Sequence, residues 1–368
     1  MLSLRALNRT TLARQLLLHR SDMPVLDTVE RLVGLQAQVP TNPYTALWSR
    51  LEQFRPESLA QLLLDRRVVR ILVMRSTLHL VSAEDCLELR PLMQPVIDRE
   101  LARHREYAPA LRGVDLEPVL AVAARLLDER PRTGTELRAA LAERFPDQPA
   151  AALAGACRNL LPLVQVPPRG VWGRTGQVRS TTAESWLGRP LAADPSIDDM
   201  VLRYLGAFGP ATVADVATWS RLTGLREVVE RLRPRLRTFR DEYGRELFDL
   251  PDAPWPAAET PAPPRFLPEY DNVLLSHEDR SRFISRDLRA RLSSLPGLGH
   301  GAVLHDGFVC GAWRLDRDAF SGSATLVVSH VAGLTKRATA AVADEGGRLM
   351  RFLAADADRQ DVRFAVLD

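Results

Sequence analysis

Lysine is almost absent from this chain of 368 residues. Lys336 is the one lysine among 49 basic residues, so the other 48 are arginines. Genomic base composition accounts for part of this bias, because Ala, Leu and Pro are abundant as well. Acidic residues balance the arginines to a net charge of +3, which excludes a polycationic tail. Arginine nevertheless suits phosphate groups because its guanidinium forms planar, forked hydrogen bonds, and a near-neutral chain can still carry one basic face.

Cysteine is also scarce, and Cys86, Cys157 and Cys310 lie far apart. The absence of a Cys-x-x-Cys pair argues against a structural zinc site, and so sparse a set is typical of a reducing cytosol. No apolar stretch is long enough to span a membrane, and the charged residues 1–20 do not form a signal peptide. We therefore expect a cytoplasmic protein that does not contact a membrane.

The usual signatures of cofactor and metal enzymes are missing. None of the seven histidines pairs with another at the spacing of metal ligands on a helix. Gly-x-Ser-x-Gly, phosphate-binding-loop and Gly-x-Gly-x-x-Gly motifs do not occur in a suitable context. We expect neither a cofactor nor a bound metal.

Helical patterns followed by a short strand pair recur along the chain. The first set predicts two helices over 8–38 and helices at 42–54 and 56–68. The segment "VRILVMRSTLHLVS" predicts a strand pair or a strand with a bend. Residues 115–180 and 197–250 repeat this outline. The phrases "RPRTGTELRAAL" and "FGPATVADVATW" within them each place a threonine at the start of a helix. Helices followed by a hairpin are the outline of a winged helix, so the pattern predicts tandem winged helix-turn-helix units.

The pattern changes after the proline-rich segment 251–265, which we interpret as a linker. Short alternating strands with glycine-containing turns follow, then one helix and a closing strand, which together predict a small β-barrel-like domain. We thus expect a mostly helical α+β chain. Its predicted winged-helix domains are 1–112, 113–190 and 191–255, and the barrel-like domain is 256–368.

Repeated winged helices, with arginine as nearly the only base, indicate a duplex DNA partner. The predicted wing "PPRGVWGRTGQVR" carries Arg169 and Arg174. On a strand, Arg75, Thr77 and His79 would share one face because side chains alternate between the two faces. The alternative is that the winged helices bind proteins, and that each arginine lies on a solvated surface.

The phrase "PEYDNVLLSHEDR" suggests a different chemistry. It groups four acidic residues with His277, and a metal-dependent nuclease could use such groups. Ordinary turns and strand edges have the same composition, and we favour that interpretation.

The segment "GLQAQVP", residues 34–40, places Gln36 and Gln38 on either side of Ala37. Residues i and i+2 do not share a helix face. They do share a face in an extended chain, and Pro40 disfavours helix at the preceding residue. The pattern predicts that both amides project to one side beyond the second helix. Taken alone, a pair of surface glutamines is the simpler explanation.

Three phrases, "GLQAQVPTNPYTALWSRL", "VMRSTLHLVS" and "FLPEYDNVLLSHEDR", together resemble the AlkZ/YcaQ family of winged-helix DNA glycosylases, and the AlkZ branch most closely. The resemblance covers nearly the whole chain, because the phrases lie in the first and last predicted domains. It implies tandem winged helices in a C-shape, with a C-terminal barrel and DNA in the concave channel. It also implies that Gln36 and Gln38 are catalytic, because the family motif is glutamine, an apolar residue and glutamine.

The activity implied by the resemblance is hydrolysis of the N-glycosidic bond of cationic N7-alkylated purines. Bulky adducts and interstrand crosslinks are included, in DNA repair or in self-resistance to an alkylating antibiotic such as azinomycin. We expect a monofunctional glycosylase that acts on double-stranded DNA as a monomer. The alternative is a winged-helix regulator or architectural protein without catalysis. The residues expected to face DNA or the reaction site are Asn42, Tyr44, Arg75, Thr77, His79, Arg169, Arg174, His277 and Arg280.

Neutral amides fit such a substrate. An N7-alkylated purine already carries a positive charge and leaves without protonation, so the enzyme has to position a water and stabilise a cationic sugar with oriented dipoles. A glutamine carbonyl oxygen accepts a hydrogen bond from that water, and its NH₂ group donates to the sugar or phosphate. A bulky lesion also requires an open groove in place of a tight base-flipping pocket.

Overall fold

The computed structural model describes residues 1–295, 299–318, 320–331 and 333–367. Helices dominate up to the proline-rich segment, and strands dominate after it. No helix within those ranges is both long and apolar enough to cross a membrane. The α-helices of the described residues are α1 (Leu4–Arg14), α2 (Val25–Arg31), α3 (Asn42–Arg50), α4 (Pro56–Leu64), α5 (Ala83–Ala102), α6 (Tyr107–Ala110), α7 (Glu117–Glu129), α8 (Gly134–Arg144), α9 (Ala150–Leu160), α10 (Ala183–Leu187), α11 (Ile197–Phe208), α12 (Val213–Ser220), α13 (Leu225–Leu232), α14 (Arg286–Ser293) and α15 (Lys336–Leu353).

The strands of the described residues form two larger sheets and one separate hairpin. The strands are β1 (Leu35–Gln36), β2 (Val68–Leu72), β3 (Leu78–Ser82), β4 (Arg132–Thr133), β5 (Leu163–Gln165), β6 (Arg179–Thr182), β7 (Arg237–Arg240), β8 (Glu246–Asp249), β9 (Arg265–Leu267), β10 (Gly301–His305), β11 (Phe308–Asp318), β12 (Ser323–His330) and β13 (Arg359–Val366). Single 3₁₀ turns occur at Met74–Ser76, Arg233–Arg235, Asn272–Leu274 and Arg280–Arg282.

Threonine caps begin two of the helices in the repeated segments. The Thr133 hydroxyl accepts from the Glu136 amide at the start of α8, and Thr212 does the same with Asp215 at α12. Each acidic side chain accepts in return from the threonine backbone N–H. This reciprocal pair satisfies two amides that the first helical turn leaves free. It confirms the predicted threonine caps in the two similar phrases.

The first sheet joins the first two predicted segments. Its strand order is β1-β3-β2-β5-β6-β4, so β2 pairs with its own hairpin partner β3 on one side and with β5 on the other. The third segment ends in the separate hairpin β7–β8. Each of the three helical segments is therefore followed by an antiparallel strand pair, at β2–β3, β5–β6 and β7–β8.

The C-terminal sheet is open, so the prediction of a barrel-like domain is wrong. Its order is β13-β12-β11-β10-β9, which leaves β9 and β13 at opposite edges. Strands β12 and β13 run parallel, and parallel neighbours need a long crossover connection. Helix α15 forms that crossover, and its Val342 and Leu349 pack with Leu326 and Val328 of β12. The helix buries the apolar face that closure of the sheet would have buried.

Buried ion pairs join the N-terminal helices to two distant parts of the chain, the hairpin β7–β8 and the C-terminal part. Arg50 of α3 donates to both carboxylate oxygens of Asp271 at 2.8 Å, and both side chains are buried. Arg14 of α1 makes a second buried pair with Asp249 at 2.6 and 2.7 Å. The Arg50–Asp271 pair brings the segment around residue 270 beside the first sheet.

Candidate active site

Gln36 and Gln38 lie on extended chain that begins earlier than Pro40. Helix α2 ends at Arg31, and the left-handed residues Val33 (φ 53°) and Gly34 (φ 85°) turn the chain into β1. A side chain on Gly34 would meet Val81 Cγ1 at 2.7 Å, so the approach to β3 requires glycine. Gln36 then pairs with His79 of β3, and the Ala37 amide donates to the Leu78 carbonyl at 2.7 Å. This extended pairing puts the two glutamines on one side.

Both glutamines line one groove of about 840 Å³ that is open to solvent. One wall carries the β2–β3 turn with Arg75 and Thr77, and the other wall comes from helices α7, α8 and α9. Gln36 is 8% exposed, whereas Gln38 is an exposed residue. The groove therefore gives solvent and a large ligand access to both amides.

Arg75 holds Gln36 in place. It lies in the left-handed turn between β2 and β3, with φ 59°. Its guanidinium donates to Gln36 Oε1 at 2.8 Å, to Asn272 Oδ1 at 2.8 Å and to the Trp219 carbonyl at 3.1 Å. Burial lowers the pKa of Arg75 to about 10, with a further contribution from the charges of Arg280 and Arg221. The three phrases that carry the family resemblance meet at this side chain.

Two hydrogen-bond donors, the Arg75 guanidinium and the Leu78 N–H, determine how the two glutamine amides are oriented. A guanidinium and a backbone N–H only donate hydrogen bonds. Gln36 must therefore turn its carbonyl oxygen to Arg75, and Gln38 turns its own to the Leu78 N–H at 3.3 Å. Neither NH₂ group donates to a protein acceptor within the described residues. Gln36 thus offers a donor to the groove, and Gln38 offers a donor together with a carbonyl oxygen in a long, weak bond.

His79 lies beneath Arg75 and is fully buried. Its Nδ1 is 3.0 Å from the Thr77 carbonyl, and its Nε2 is 3.3 Å from Arg75. Since the Thr77 carbonyl can only accept, the proton lies on Nδ1 and Nε2 is left unprotonated toward the guanidinium. Burial, together with the charge of Arg75, lowers the pKa of His79 to about 3. His79 is therefore a neutral support for Arg75, while Thr77 lines the groove.

Asn42 and Tyr44 fasten neighbouring loops to the site. The Asn42 amide donates to the Glu269 carbonyl at 2.7 Å. The Tyr44 hydroxyl donates to the Gly170 carbonyl at 2.8 Å and accepts from the Trp172 amide at 3.0 Å. Both side chains are almost completely buried and neither lines the groove. They position the segments around residues 170 and 269.

The other predicted DNA contacts differ in exposure. Arg174 is exposed, and Arg169 is half-buried with one bond to the Gly176 carbonyl at 3.2 Å. His277 is buried and bonds to the Phe208 carbonyl at 3.0 Å, away from the groove. Arg280 is half-buried and lines a separate cavity of about 500 Å³. The structure thus brings Gln36, Gln38, Arg75 and Thr77 together and places these four residues elsewhere.

Three further residues at the site were missed from the sequence. Asn272 accepts from Arg75 and donates to the Gly34 carbonyl at 3.2 Å. Arg70 donates to the Ala37 carbonyl at 2.8 Å, between the two glutamines, and burial lowers its pKa to about 10. Tyr270 lines the groove itself. Asn272 and Tyr270 belong to a phrase that the resemblance singles out, but nothing local in the sequence indicates their contacts.

The acidic cluster of the last phrase does not converge. Asp271 is paired with Arg50, and Asp279 with Arg245 at 3.0 Å. His277 is buried against Phe208, and Glu278 is exposed. Within the residues that the structure describes, no three His, Cys, Asp or Glu side chains are grouped as metal ligands.

The chain is similar to DNA glycosylases in sequence and in fold. A family model described as DNA glycosylase AlkZ-like matches residues 29–352. An interstrand DNA cross-link repair glycosylase of Streptomyces sahachiroi is 27% identical in an alignment of 327 positions that covers 82% of this chain and 85% of that protein.

The solved structure of the Streptomyces sahachiroi DNA glycosylase AlkZ has the same fold. It superimposes with a TM-score of 0.77 at 23% identity, over 99% of this chain and 100% of that one. The family model spans far more than half of the sequence and includes the groove, both glutamines and Arg75. The chain therefore belongs to the family of AlkZ-like DNA glycosylases.

Proposed function

We propose that this glycosylase hydrolyses the N-glycosidic bond of cationic N7-alkylated purines in double-stranded DNA. A water oxygen bonds to the sugar C1′ as the C1′–N9 bond breaks. The bond's electron pair leaves with the base and neutralises its charge, and the water's second proton passes to solvent. The products are the free base and an abasic site. No strand is cut, so the enzyme is monofunctional.

The observation that carries this proposal is the pair of uncharged amides in an open groove, with Gln36 held by Arg75 and Gln38 by the Leu78 N–H. Gln38 is the more exposed of the two and its carbonyl is only weakly engaged, so it is the candidate to accept from the attacking water. Gln36 points its NH₂ group into the groove, where it can donate to the sugar or a phosphate. Oriented dipoles of this kind stabilise charge as it develops in the transition state.

The proposed interface with DNA uses tandem winged helices. We assign the three helical segments with their hairpins to winged-helix domains at 1–112, 113–190 and 191–255, with 256–368 as the fourth domain, and the three antiparallel strand pairs support this assignment. DNA would lie in a concave, C-shaped channel that includes the groove. Arg169 and Arg174, from the loop between β5 and β6, would contact the backbone there as predicted.

A second contact to the DNA backbone involves Arg221 and Arg280. Both are close enough to Arg75 to lower its pKa, and neither forms an ion pair with an acidic side chain in the described part of the chain. Arg280 shares its cavity with Arg286 and Arg289. Uncompensated arginines bind phosphates because the charge is attracted and counterions are released.

The open groove suits bulky lesions. Its volume of about 840 Å³ exceeds the needs of a single base, and the Streptomyces sahachiroi relative is named for interstrand crosslink repair. We therefore include bulky adducts and the unhooking of crosslinks in the proposal. The physiological role would be DNA repair, or self-resistance to an alkylating antibiotic such as azinomycin. The enzyme would act as a monomer, because the groove is built within one chain. Its proposed location is the cytoplasm, where the bacterial DNA lies.

Release of N7-methylguanine from an alkylated duplex tests the proposal. Gln36→Ala and Gln38→Ala should each lower the single-turnover rate by about 10²-fold, the loss typical of removing one oriented transition-state dipole. Gln61→Ala, which removes an exposed glutamine of α4, should retain the wild-type rate and serves as the control. Unchanged rates in both site variants would contradict the assignment of the glutamines.

The same assay separates the competing functions. A glycosylase gives strand breaks only after alkali or heat, and a chelator has no effect on it. Direct strand breakage that a chelator abolishes would indicate a nuclease. Tight binding to one operator sequence without base release would indicate a regulator.

A further inference from the structure

Tyr270 is an exposed aromatic side chain that directly precedes two buried, anchored residues. It is 41% exposed and lines the same groove as Gln36 and Gln38. The residue after it, Asp271, is held in the bidentate pair with Arg50, and Asn272 is bonded to Arg75. These bonds restrain the backbone next to Tyr270, so its ring is held at the groove.

The backbone at Tyr270 is unfavourable for tyrosine. Its φ is 62°, and it occupies the third position of a turn closed by the Asp271 N–H and the Pro268 carbonyl at 3.2 Å. Glycine or asparagine normally occupies that position in a turn with positive φ. A bulky residue there costs about 1–2 kcal/mol. Strained positions of this kind cluster at functional sites, where the surrounding structure holds them.

The chemistry of the ring matches a cationic base. The face of a tyrosine ring carries negative potential and attracts a cation that stacks on it. The neighbouring Glu269 carboxylate, together with partial burial, raises the pKa of the Tyr270 phenol. The phenol therefore stays neutral at physiological pH, and the nearby carboxylate adds to the attraction for a positive charge.

We propose that Tyr270 stacks on the alkylated base and recognises its positive charge, so that damaged purines are preferred over neutral ones. This inference rests on the proposed glycosylase function. It assigns base recognition to the C-terminal part of the chain, whereas the glutamines that act on the sugar come from the N-terminal part. Undamaged purines would gain ordinary stacking from the ring but no attraction between charge and ring face.

Two variants separate the effect of the aromatic ring from the effect of the unfavourable backbone conformation at position 270. Tyr270→Phe keeps the aromatic face and removes the hydroxyl, whereas Tyr270→Asn removes the face and tolerates positive φ. Both should fold, and thermal unfolding checks this. The probe is a duplex with one N7-methylguanine on a 2′-fluorinated sugar, which resists hydrolysis, and the reference is the same duplex with guanine.

Tyr270→Asn should reduce the binding preference for the methylated duplex about tenfold, because affinity for the methylated duplex falls much more than affinity for the guanine duplex. Tyr270→Phe should retain the preference within about threefold. Equal preference in all three proteins would overturn the proposal, as would equal loss of affinity for both duplexes. If wild-type enzyme releases no N7-methylguanine from the hydrolysable substrate, the proposed function fails. If it does release the base and Tyr270→Asn retains its preference, only the role of Tyr270 fails.

Discussion

Replacing Arg75 with methionine tests whether its guanidinium positions the catalytic amide. Methionine keeps much of the unbranched stem and removes the charge and all donors. In the wild type these donors serve Gln36 Oε1 and Asn272 Oδ1 at 2.8 Å and the Trp219 carbonyl at 3.1 Å. The variant leaves Gln36 oriented by backbone packing alone, without any change to its own chemistry.

The structure allows a rough magnitude for both effects. A hydrogen bond from a charged donor contributes about 1.5–3 kcal/mol, and a buried acceptor left without a partner costs about 1–3 kcal/mol. Removing the cation recovers several kcal/mol of its desolvation cost. We expect the free energy of unfolding to fall by about 1–3 kcal/mol. The rate should fall about 10²-fold, as for the loss of one oriented dipole.

The assay is single-turnover release of N7-methylguanine, with urea unfolding of each variant. Arg363→Met is the control, because it removes one arginine charge from the exposed strand β13 outside the groove. It should be fully active. An NMR titration of His79 supplies an independent readout, because loss of the neighbouring charge raises its pKa from about 3. A folded Arg75→Met protein that retains the wild-type rate would refute the reasoning.

Three further outcomes follow from the geometry. The folded-state pKa of His79 is about 3, and that of His277 is likewise depressed, so the unfolded chain binds protons first as pH falls below 6.5. The contribution of these two histidines to the free energy of unfolding is fully present above pH 6.5 and should be lost toward pH 3, on the order of 1 kcal/mol per pH unit for His79. Urea-unfolding midpoints that stay constant from pH 7 to 4.5 would contradict this. Arg50→Met leaves Asp271 as an unpaired buried charge and should cost about 3–5 kcal/mol, whereas a loss below 1 kcal/mol in urea unfolding would show that the pair does not anchor this segment. Arg280→Met should weaken DNA binding and reduce the slope of log affinity against log salt by about 1, and an unchanged slope would remove Arg280 from the phosphate contacts.

The extended conformation of the glutamine motif could be predicted, but the reason for it could not. The sequence argument relied on Pro40. In the structure the helix has already ended at Arg31, and the left-handed pair Val33 and Gly34 starts the strand. The glycine is needed because a Cβ at this position would clash with Val81 of β3. That approach comes from tertiary packing, which a local preference for extended chain does not reveal.

The C-terminal sheet shows a similar limit. Alternating apolar residues indicated its strands correctly, yet the same alternation occurs in an open sheet and in a barrel. The pairing of β12 with β13 in parallel, through α15, decided for an open sheet covered by a helix. Strand order depends on contacts between distant segments, so the local pattern could not supply it.

Local sequence determined the elements: the threonine caps of α8 and α12, the β2–β3 hairpin and the pair of neutral amides one residue apart. These depend on neighbouring residues, whose preferences act over a few positions. Only the tertiary structure decided that Arg75 lies between Gln36 and Asn272, which are 236 positions apart in the chain. The orientation of Arg75 depends on its burial and on hydrogen-bond partners from three segments, because a buried cation persists only where acceptors surround it. The two glutamines can be recognised in the sequence, but only the folded chain shows that Arg75 orients Gln36.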